Sequence, residues 1–310
     1  MIQFLYLATL GLHAVFVGYV AAGTVYVAVQ AVRHADDPIA DATRVRLPFM
    51  LGVGITAGVA PLLFVQLLHQ RRFYTANLLL GPRWMAVVPA LVVGFYALYV
   101  VKQLPRWRVA AAIVGSACFA FVAWSWSELH DLMLADARWA EIYAAGERTF
   151  IGAGVAARFA TFAGGMATLF AAAACWQSHG PARRLAAIAL AGRALSIGGG
   201  AWLVARGFDA TAAGATWPIV LVVATVADIA AWAVLAATPR RDGALTAATA
   251  TGVVVLAAAL VVREGPRLAL VEPDHPLAAG AGGAVAFAIA AILGTLAIAW
   301  IVRTVRTVQE

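Results

Sequence analysis

QFLYLATLGLHAVFVGYVAAGTVYVAVQA, residues 3–31, is apolar along almost its whole length and contains no Asp, Glu, Lys or Arg. The hydrocarbon core of a bilayer is about 30 Å thick, and a helix needs roughly 20 apolar residues to cross it. This stretch is long enough, and it lacks the period-2 alternation of a membrane β-strand. It therefore predicts a transmembrane helix.

Further stretches of the same kind fill most of the remaining chain. Hydrophobic residues make up 63% of the 310 positions and charged residues only 12%, with a mean hydropathy of +0.87. A soluble domain has about 25% charged residues. We therefore predict an all-α, polytopic membrane bundle of about nine transmembrane helices. The other eight spans are 47–68, 84–101, 109–127, 150–175, 185–205, 215–237, 244–262 and 279–302.

The spans are expected to form a single transmembrane domain covering 1–310. Within it we distinguish a first four-helix bundle at 1–127, a second helical bundle at 150–262 and a final helix at 279–302. Between the two bundles, residues 128–149 are predicted to be a loop with one short surface helix. No soluble domain is expected.

The basic residues predict the orientation of the bundle. Of the 22 Lys and Arg, twelve flank one side, eight flank the other and two fall within spans. By the positive-inside rule the twelve face the cytoplasm, so the N-terminus lies outside and the C-terminus inside. The twelve are Arg33, Arg44, Arg46, Lys102, Arg106, Arg108, Arg183, Arg184, Arg240, Arg241, Arg303 and Arg306.

The net charge of +7 does not indicate a nucleic-acid partner. The basic residues flank helices, where they contact lipid headgroups, and they form no basic stripe with interleaved aromatic residues. We therefore expect membrane lipids and no nucleic acid as partners, in the bacterial cytoplasmic (inner) membrane. P-loop, G-x-G-x-x-G, H-E-x-x-H and C-x-x-C-H motifs are absent from the sequence, which excludes the chemistry that each of them supports.

Ionisable side chains at membrane depth are functional candidates because they are costly in lipid. His13 lies in the first span, within Leu-His-Ala-Val-Phe. A neutral imidazole there is able to ligate haem iron or another metal, or to relay protons. The alternative is a histidine that is hydrogen-bonded to a neighbouring helix.

A second group of candidates lies near the predicted outer surface. His69 ends the second span, and Glu128, His130 and Asp131 follow the fourth. Together with His13 they fall in one outer layer, where they would serve a cofactor or a proton exit. The alternative interpretation is that they are solvated loop residues.

Two arginines fall inside spans. Arg193 and Asp228 occupy similar depths in the sixth and seventh spans, so we predict a buried ion pair with a structural role in preference to a proton path. Arg158, in the fifth span, has no evident partner in neighbouring spans. We expect it to extend toward the outer surface or to neutralise a bound anionic group such as a haem propionate.

Several of these stretches resemble the large haem-bearing subunit of cytochrome bd-type oxidases. The resemblance covers about residues 5–175, and beyond the fifth span only the helix count matches. The stretches that carry it are Leu-His-Ala-Val-Phe-Val-Gly at 12–18, Leu-Gly-Val-Gly-Ile-Thr-Ala-Gly-Val at 51–59 and Arg-Phe-Ala-Thr-Phe at 158–162. The resemblance implies nine spans with the N-terminus outside, and a histidine at the position of His13 that ligates a haem.

The chain also departs from this family. Where the fifth helix of the family offers a haem-ligating histidine, this chain has Thr161, and its span 84–101 contains no glutamate. The loop between residues 205 and 215 is too short for the family's quinol-binding segment. Because a ligand must be present to hold iron, a complete three-haem quinol oxidase is not expected.

We therefore interpret the chain as an integral membrane subunit of a respiratory or electron-transfer complex, at most one subunit of an oxidoreductase. It would hold at most one haem b, ligated by His13, with His69, Glu128, His130 and Arg158 near the cofactor. Electrons would be exchanged at the outer face with other subunits or a periplasmic cytochrome c. The alternatives are a haem-free scaffold or assembly subunit, and a transporter of small solutes or ions.

Overall fold

The computed structural model describes residues 2–146, 152–177, 182–238 and 242–271, together with Ile289 and Ile292. Within these ranges the backbone forms helices joined by short turns, and no strand occurs in them. The predicted all-α class is confirmed for this part of the chain. The predicted final helix at 279–302 lies outside the described residues except at Ile289 and Ile292, so the nine-helix count stays a prediction.

Eight helical segments are long and apolar enough to cross a bilayer, which makes this a multi-pass membrane protein. Short helices connect some of them. The helices are α1 (Ile2–Val32), α2 (Pro38–Leu68), α3 (Gln70–Leu80), α4 (Pro82–Met85), α5 (Val87–Gln103), α6 (Arg108–Leu134), α7 (Trp139–Ala145), α8 (Ala153–Gln177), α9 (Ala182–Ala205), α10 (Thr216–Ala237) and α11 (Asp242–Leu268).

The second span begins earlier than its apolar stretch does. Helix α2 starts at Pro38, and not at residue 47, because Asp37 caps it: the Asp37 carboxylate accepts the backbone N–H groups of Ile39 at 2.8 Å and Ala40 at 3.3 Å. Proline at the first helical position adds to this start signal. The first turns of α2 are therefore polar helix that continues beyond the apolar segment.

Two other helices extend past the boundaries that hydropathy predicts. Helix α6 continues to Leu134, so the expected loop at 128–149 begins later than predicted, and it contains the short helix α7. Helix α11 continues to Leu268 through Gly265 and Pro266, which read as a turn in the sequence. In both cases buried polar contacts, and not hydropathy, hold the last turns in place.

Helix α1 lies at the centre of the bundle and packs against α2, α6, α8 and α11. Close helix approach depends on glycine at the α8–α9 contact. A Cβ atom added to Gly199 would lie 2.6 Å from the backbone N of Thr161, so any larger residue would push the helices apart. The run of small residues in α9 therefore packs helix on helix, as a scaffold.

Consecutive spans run antiparallel, which gives the bundle two ends. We call the end at which α1 and α8 begin and α2, α6 and α11 end the near end. The opposite end, at which α1 ends and α2 and α9 begin, is the far end. By the distribution of basic residues the near end is predicted to face outward.

Candidate functional site: a buried polar cluster at the near end

Three side chains from α1 and α11 form the centre of a buried polar cluster. The Tyr6 hydroxyl donates to Oε2 of Glu264 at 2.8 Å, and Nε of Arg267 donates to the same oxygen at 2.8 Å. Nη2 of Arg267 also donates to Tyr6 Oη at 2.9 Å and to Glu264. All three residues are buried, so this triad is closed off from solvent. Charge-assisted hydrogen bonds of this kind are strong and directional.

Glu264 is shared by a second guanidinium. Nη1 of Arg263 donates to Oε1 of Glu264 at 2.6 Å, while Arg267 occupies Oε2. One carboxylate thus balances two positive charges. This is costly in a low-dielectric environment unless a further negative group is near.

His130 is the member of the cluster whose polar atoms lack hydrogen-bond partners. Its side chain is fully buried, and neither ring nitrogen has a hydrogen-bond partner among the described residues. Its Nδ1 lies 3.9 Å from Oε1 of Glu264, which is too far for a direct hydrogen bond. A buried polar group without a partner is uncommon in native proteins and calls for an explanation.

Two ion pairs flank the cluster. Glu128, which is fully buried, accepts the indole Nε1–H of Trp124 at 3.1 Å and a hydrogen bond from Arg83. Nε of Arg158 donates to Oδ1 of Asp131 at 3.3 Å. Carboxylates on α6 therefore receive arginines from the α4 and α8 segments at the near end.

These positions correct two expectations from the sequence. Glu128 and His130 are not solvated loop residues, because α6 continues past them and buries both. Arg158 does have a partner, Asp131, which the predicted boundary of the fourth span had placed in a loop. His69, the C-cap residue of α2, is also buried at this end, so His69, Glu128, His130 and Arg158 all lie at the near end of the bundle.

His13 lies at the contact between α1 and α2. Its Nδ1 is 2.9 Å from the carbonyl oxygen of Gly54, and because a carbonyl only accepts, Nδ1 carries the proton. A Cβ added to Gly58 would lie 2.7 Å from Cε1 of His13, so glycine makes room for the ring. The helix-to-helix hydrogen bond that the sequence allowed as an alternative is present.

The expected pair between the sixth and seventh predicted spans is also present. Nε of Arg193 donates to Oδ2 of Asp228 at 2.6 Å, and the Thr251 hydroxyl donates to Oδ1 at 3.1 Å. Both charged side chains are buried. The pair and Thr251 join α9, α10 and α11, and these hydrogen bonds between helices fit a structural role.

The fit of a haem or metal to these residues is limited. The described part of the chain contains no group of three or more His, Cys, Asp or Glu that would hold a metal ion. Two cavities stand out there, an open apolar groove along α10 and α11 and a small pocket near Arg158, and His13 lines neither. Neither cavity therefore provides a haem pocket at His13.

Sequence reasoning missed Tyr6, Glu264 and Arg267. The signal for the last two was the spacing Glu-x-x-Arg, which places both on one face if α11 continues. Gly265 and Pro266 masked that signal, since the pair is typical of a helix end. Tyr6 had no signal, because aromatic residues near the end of a span usually belong to the interfacial belt.

Comparison of the chain with protein-family models, with curated proteins and with solved structures finds no match. The resemblance to the bd oxidase large subunit therefore rests on the sequence stretches quoted above.

Proposed function

We propose that the chain is an integral membrane subunit of a respiratory or electron-transfer complex, similar to the large subunit of bd-type oxidases, and that it works at its near end. The observation that carries this proposal is the buried pair of His130 and Glu264. Ionisable groups inside a membrane are retained mainly where protons, ions or electrons are handled. Within this pair, a proton would pass between an imidazole and a carboxylate whose nearest atoms are 3.9 Å apart.

The positions of the surrounding charges give each residue a role. Arg267 and Tyr6 hold Glu264 in one orientation through its Oε2, so its Oε1 faces His130 and Arg263. We assign the proton exchange to His130, because its ring nitrogens make no hydrogen bond to any described residue. A proton exchanged at this place would accompany an electron exchanged at the same face, with another subunit or a periplasmic cytochrome c.

His13 is the residue through which the chain would hold at most one haem b. The Gly54 carbonyl fixes the proton on Nδ1 and leaves Nε2 as the nitrogen for iron, the arrangement that outer-shell partners impose on ligating histidines. Bound there, a haem would supply one-electron chemistry. Since His13 lines neither of the two cavities, a partner subunit would complete the pocket.

The experiment is to isolate the full chain from its native membrane in mild detergent and record reduced-minus-oxidised and pyridine haemochrome spectra. We expect a b-type signal of one haem per chain that His13→Ala removes. His34→Ala is the control, because His34 is exposed at the far end and should leave the signal unchanged. A b-type signal that survives His13→Ala, or several haems on this chain, would contradict the proposal.

A haem-free scaffold is the second candidate, and one observation favours it. The ring of His13 is already hydrogen-bonded and packed between α1 and α2, as expected for a histidine with a structural role alone. A colourless chain that co-purifies with haem-bearing partners would support this candidate. Transport of a small solute by the purified chain in vesicles would support neither and would make Arg193 and Asp228 the first residues to test.

A further inference from the structure

A small cavity lies beside the near-end cluster, between α6, α8 and α11. Its volume is about 40 Å³. A buried water needs about 10–15 Å³ of such space, so the cavity has room for one small ion or a few waters. It is lined by Ala123, Trp126, Ser127, Arg158, Phe162 and Arg263.

The charges around this cavity do not cancel. Three guanidinium groups, those of Arg158, Arg263 and Arg267, face two carboxylates, those of Glu264 and Asp131. Solvent screens Asp131, which is 41% exposed, and Arg263, which is 34% exposed, whereas the Arg158 side chain is only 10% exposed and is the most desolvated cation in the cavity wall. The site therefore carries a surplus of positive charge in a region where unbalanced charge is costly.

The two arginines in the cavity wall also have unused hydrogen-bond donors. A guanidinium has five N–H groups. Among the described residues, Arg158 donates only through Nε to Asp131, and Arg263 only through Nη1 to Glu264. The Ser127 hydroxyl donates to the Ala123 carbonyl oxygen at 2.8 Å and adds no free donor. The hydrogen-bond donors available to a ligand in the cavity therefore belong to the positively charged guanidinium groups.

We propose that the cavity binds one small monovalent anion of the halide class, such as chloride, between Arg158 and Arg263. The anion accepts hydrogen bonds from both guanidinium groups and balances the surplus charge, which a water molecule does not do. A volume of about 40 Å³ accommodates a small ion and is far too small for a haem. The bound anion joins α8 to α11, the two helices that supply these arginines.

The test uses the full chain in detergent, with thermal unfolding followed by the fluorescence of its ten Trp. Sodium chloride replaces sodium gluconate at constant ionic strength, so only the size and identity of the anion change. We expect Tm to rise with chloride and to saturate, because a ligand that binds only the folded state stabilises it by mass action. Bromide should act like chloride, since it also fits the cavity.

Three variants locate the effect. Arg263→Gln should raise the half-saturating chloride concentration by about tenfold or more, because it removes charge-assisted donors. Ala123→Leu, which fills the cavity without changing any charge, should abolish the rise of Tm with chloride. Arg72→Gln is the matched control, because Arg72 pairs with Asp136 at the same end and does not line the cavity, and it should keep the wild-type response.

A second measurement does not depend on these variants. Trp126 lies in the cavity wall, so iodide should quench part of the fluorescence with the same saturation range, and Trp126→Phe should remove that component. Equal Tm values in chloride and gluconate would overturn the proposal. So would a chloride response that Arg263→Gln leaves intact, and the cavity would then hold water only.

Discussion

Two triads of tyrosine, carboxylate and arginine lie at opposite ends of this bundle, and they differ in the charged and polar groups that surround the carboxylate. At the far end the carboxylate is Asp37. It accepts the Tyr26 hydroxyl at 2.7 Å and Nη1 of Arg184 at 2.6 Å, and its other oxygen accepts the first backbone N–H groups of α2. The Arg184 side chain is 38% exposed, so water shares in its solvation.

At the near end the carboxylate is Glu264, and the balance is different. Its Oε2 binds Tyr6 and Arg267, its Oε1 binds Arg263, and His130 lies beside it without any hydrogen bond to a described residue. The triad itself is buried and balanced, and Arg263, whose side chain is 34% exposed, adds a second cation to its one carboxylate. The far-end triad therefore starts a helix, while the near-end triad lies inside the bundle beside an imidazole that has no hydrogen-bond partner in the described residues, which is why we propose the near end as the working end.

The largest expected effect is that of Glu264→Gln. The change leaves the guanidinium groups of Arg263 and Arg267 without a counter-charge, and breaking a buried pair in this way costs about 3–5 kcal/mol. Thermal and denaturant unfolding in detergent would measure the loss. A loss no greater than that of Asp37→Ala would remove the difference between the two triads.

The far-end substitution Asp37→Ala should have a smaller effect. It removes the N-cap of α2, which costs about 0.5–2 kcal/mol of stability. The guanidinium of Arg184 is partly exposed, so water hydrates it when its carboxylate partner is lost. The same unfolding measurement applies. A loss as large as that of Glu264→Gln would show that the far-end triad also depends on a buried charge.

Asp37 also makes this contribution dependent on pH. Burial raises the pKa of Asp37, but hydrogen bonds from Tyr26 and the amides of Ala40 and Ile39, with the charge of Arg184, outweigh it and lower the pKa below the ordinary 3.8. Because the folded-state pKa is depressed, the stabilisation is fully present above pH 3.8 and is lost as the pH falls through the folded-state value. The stability difference between wild type and Asp37→Asn should therefore shrink below that pH. A difference that grows on acidification would have the wrong sign.

The smallest effect on stability is expected for His130→Phe. Neither ring nitrogen has a hydrogen-bond partner in the described residues, so an apolar ring of similar shape loses no bond and removes a desolvated polar group. The free energy of unfolding should stay within about 1 kcal/mol of the wild type or rise. A large loss of stability would mean that His130 is a structural residue held by contacts of another kind.

The sequence predicts the membrane bundle well because span length and hydropathy are local properties. It also predicts that Arg193 and Asp228 meet, since equal depth in adjacent antiparallel spans is enough to bring them together. It does not predict the pairing of Tyr6 with Glu264, which are separated by 258 positions and lie in helices that are not consecutive. Hydropathy ends a span where charges begin, so it missed the last turns of α6 and α11, where His130 and Glu264 lie.

The most direct test of the near end as the working end is the rate of electron transfer in the intact complex. The complex would be isolated from native membranes through the tagged chain and supplied with a reduced c-type cytochrome. Wild type, His130→Phe and Asp37→Asn would be compared at a temperature at which all three complexes remain folded. We predict that His130→Phe slows the reaction by about tenfold or more, within the range of a lost proton-transfer group, while Asp37→Asn leaves the rate unchanged. Equal rates for wild type and His130→Phe, or a complex without any redox-active group, would contradict the account.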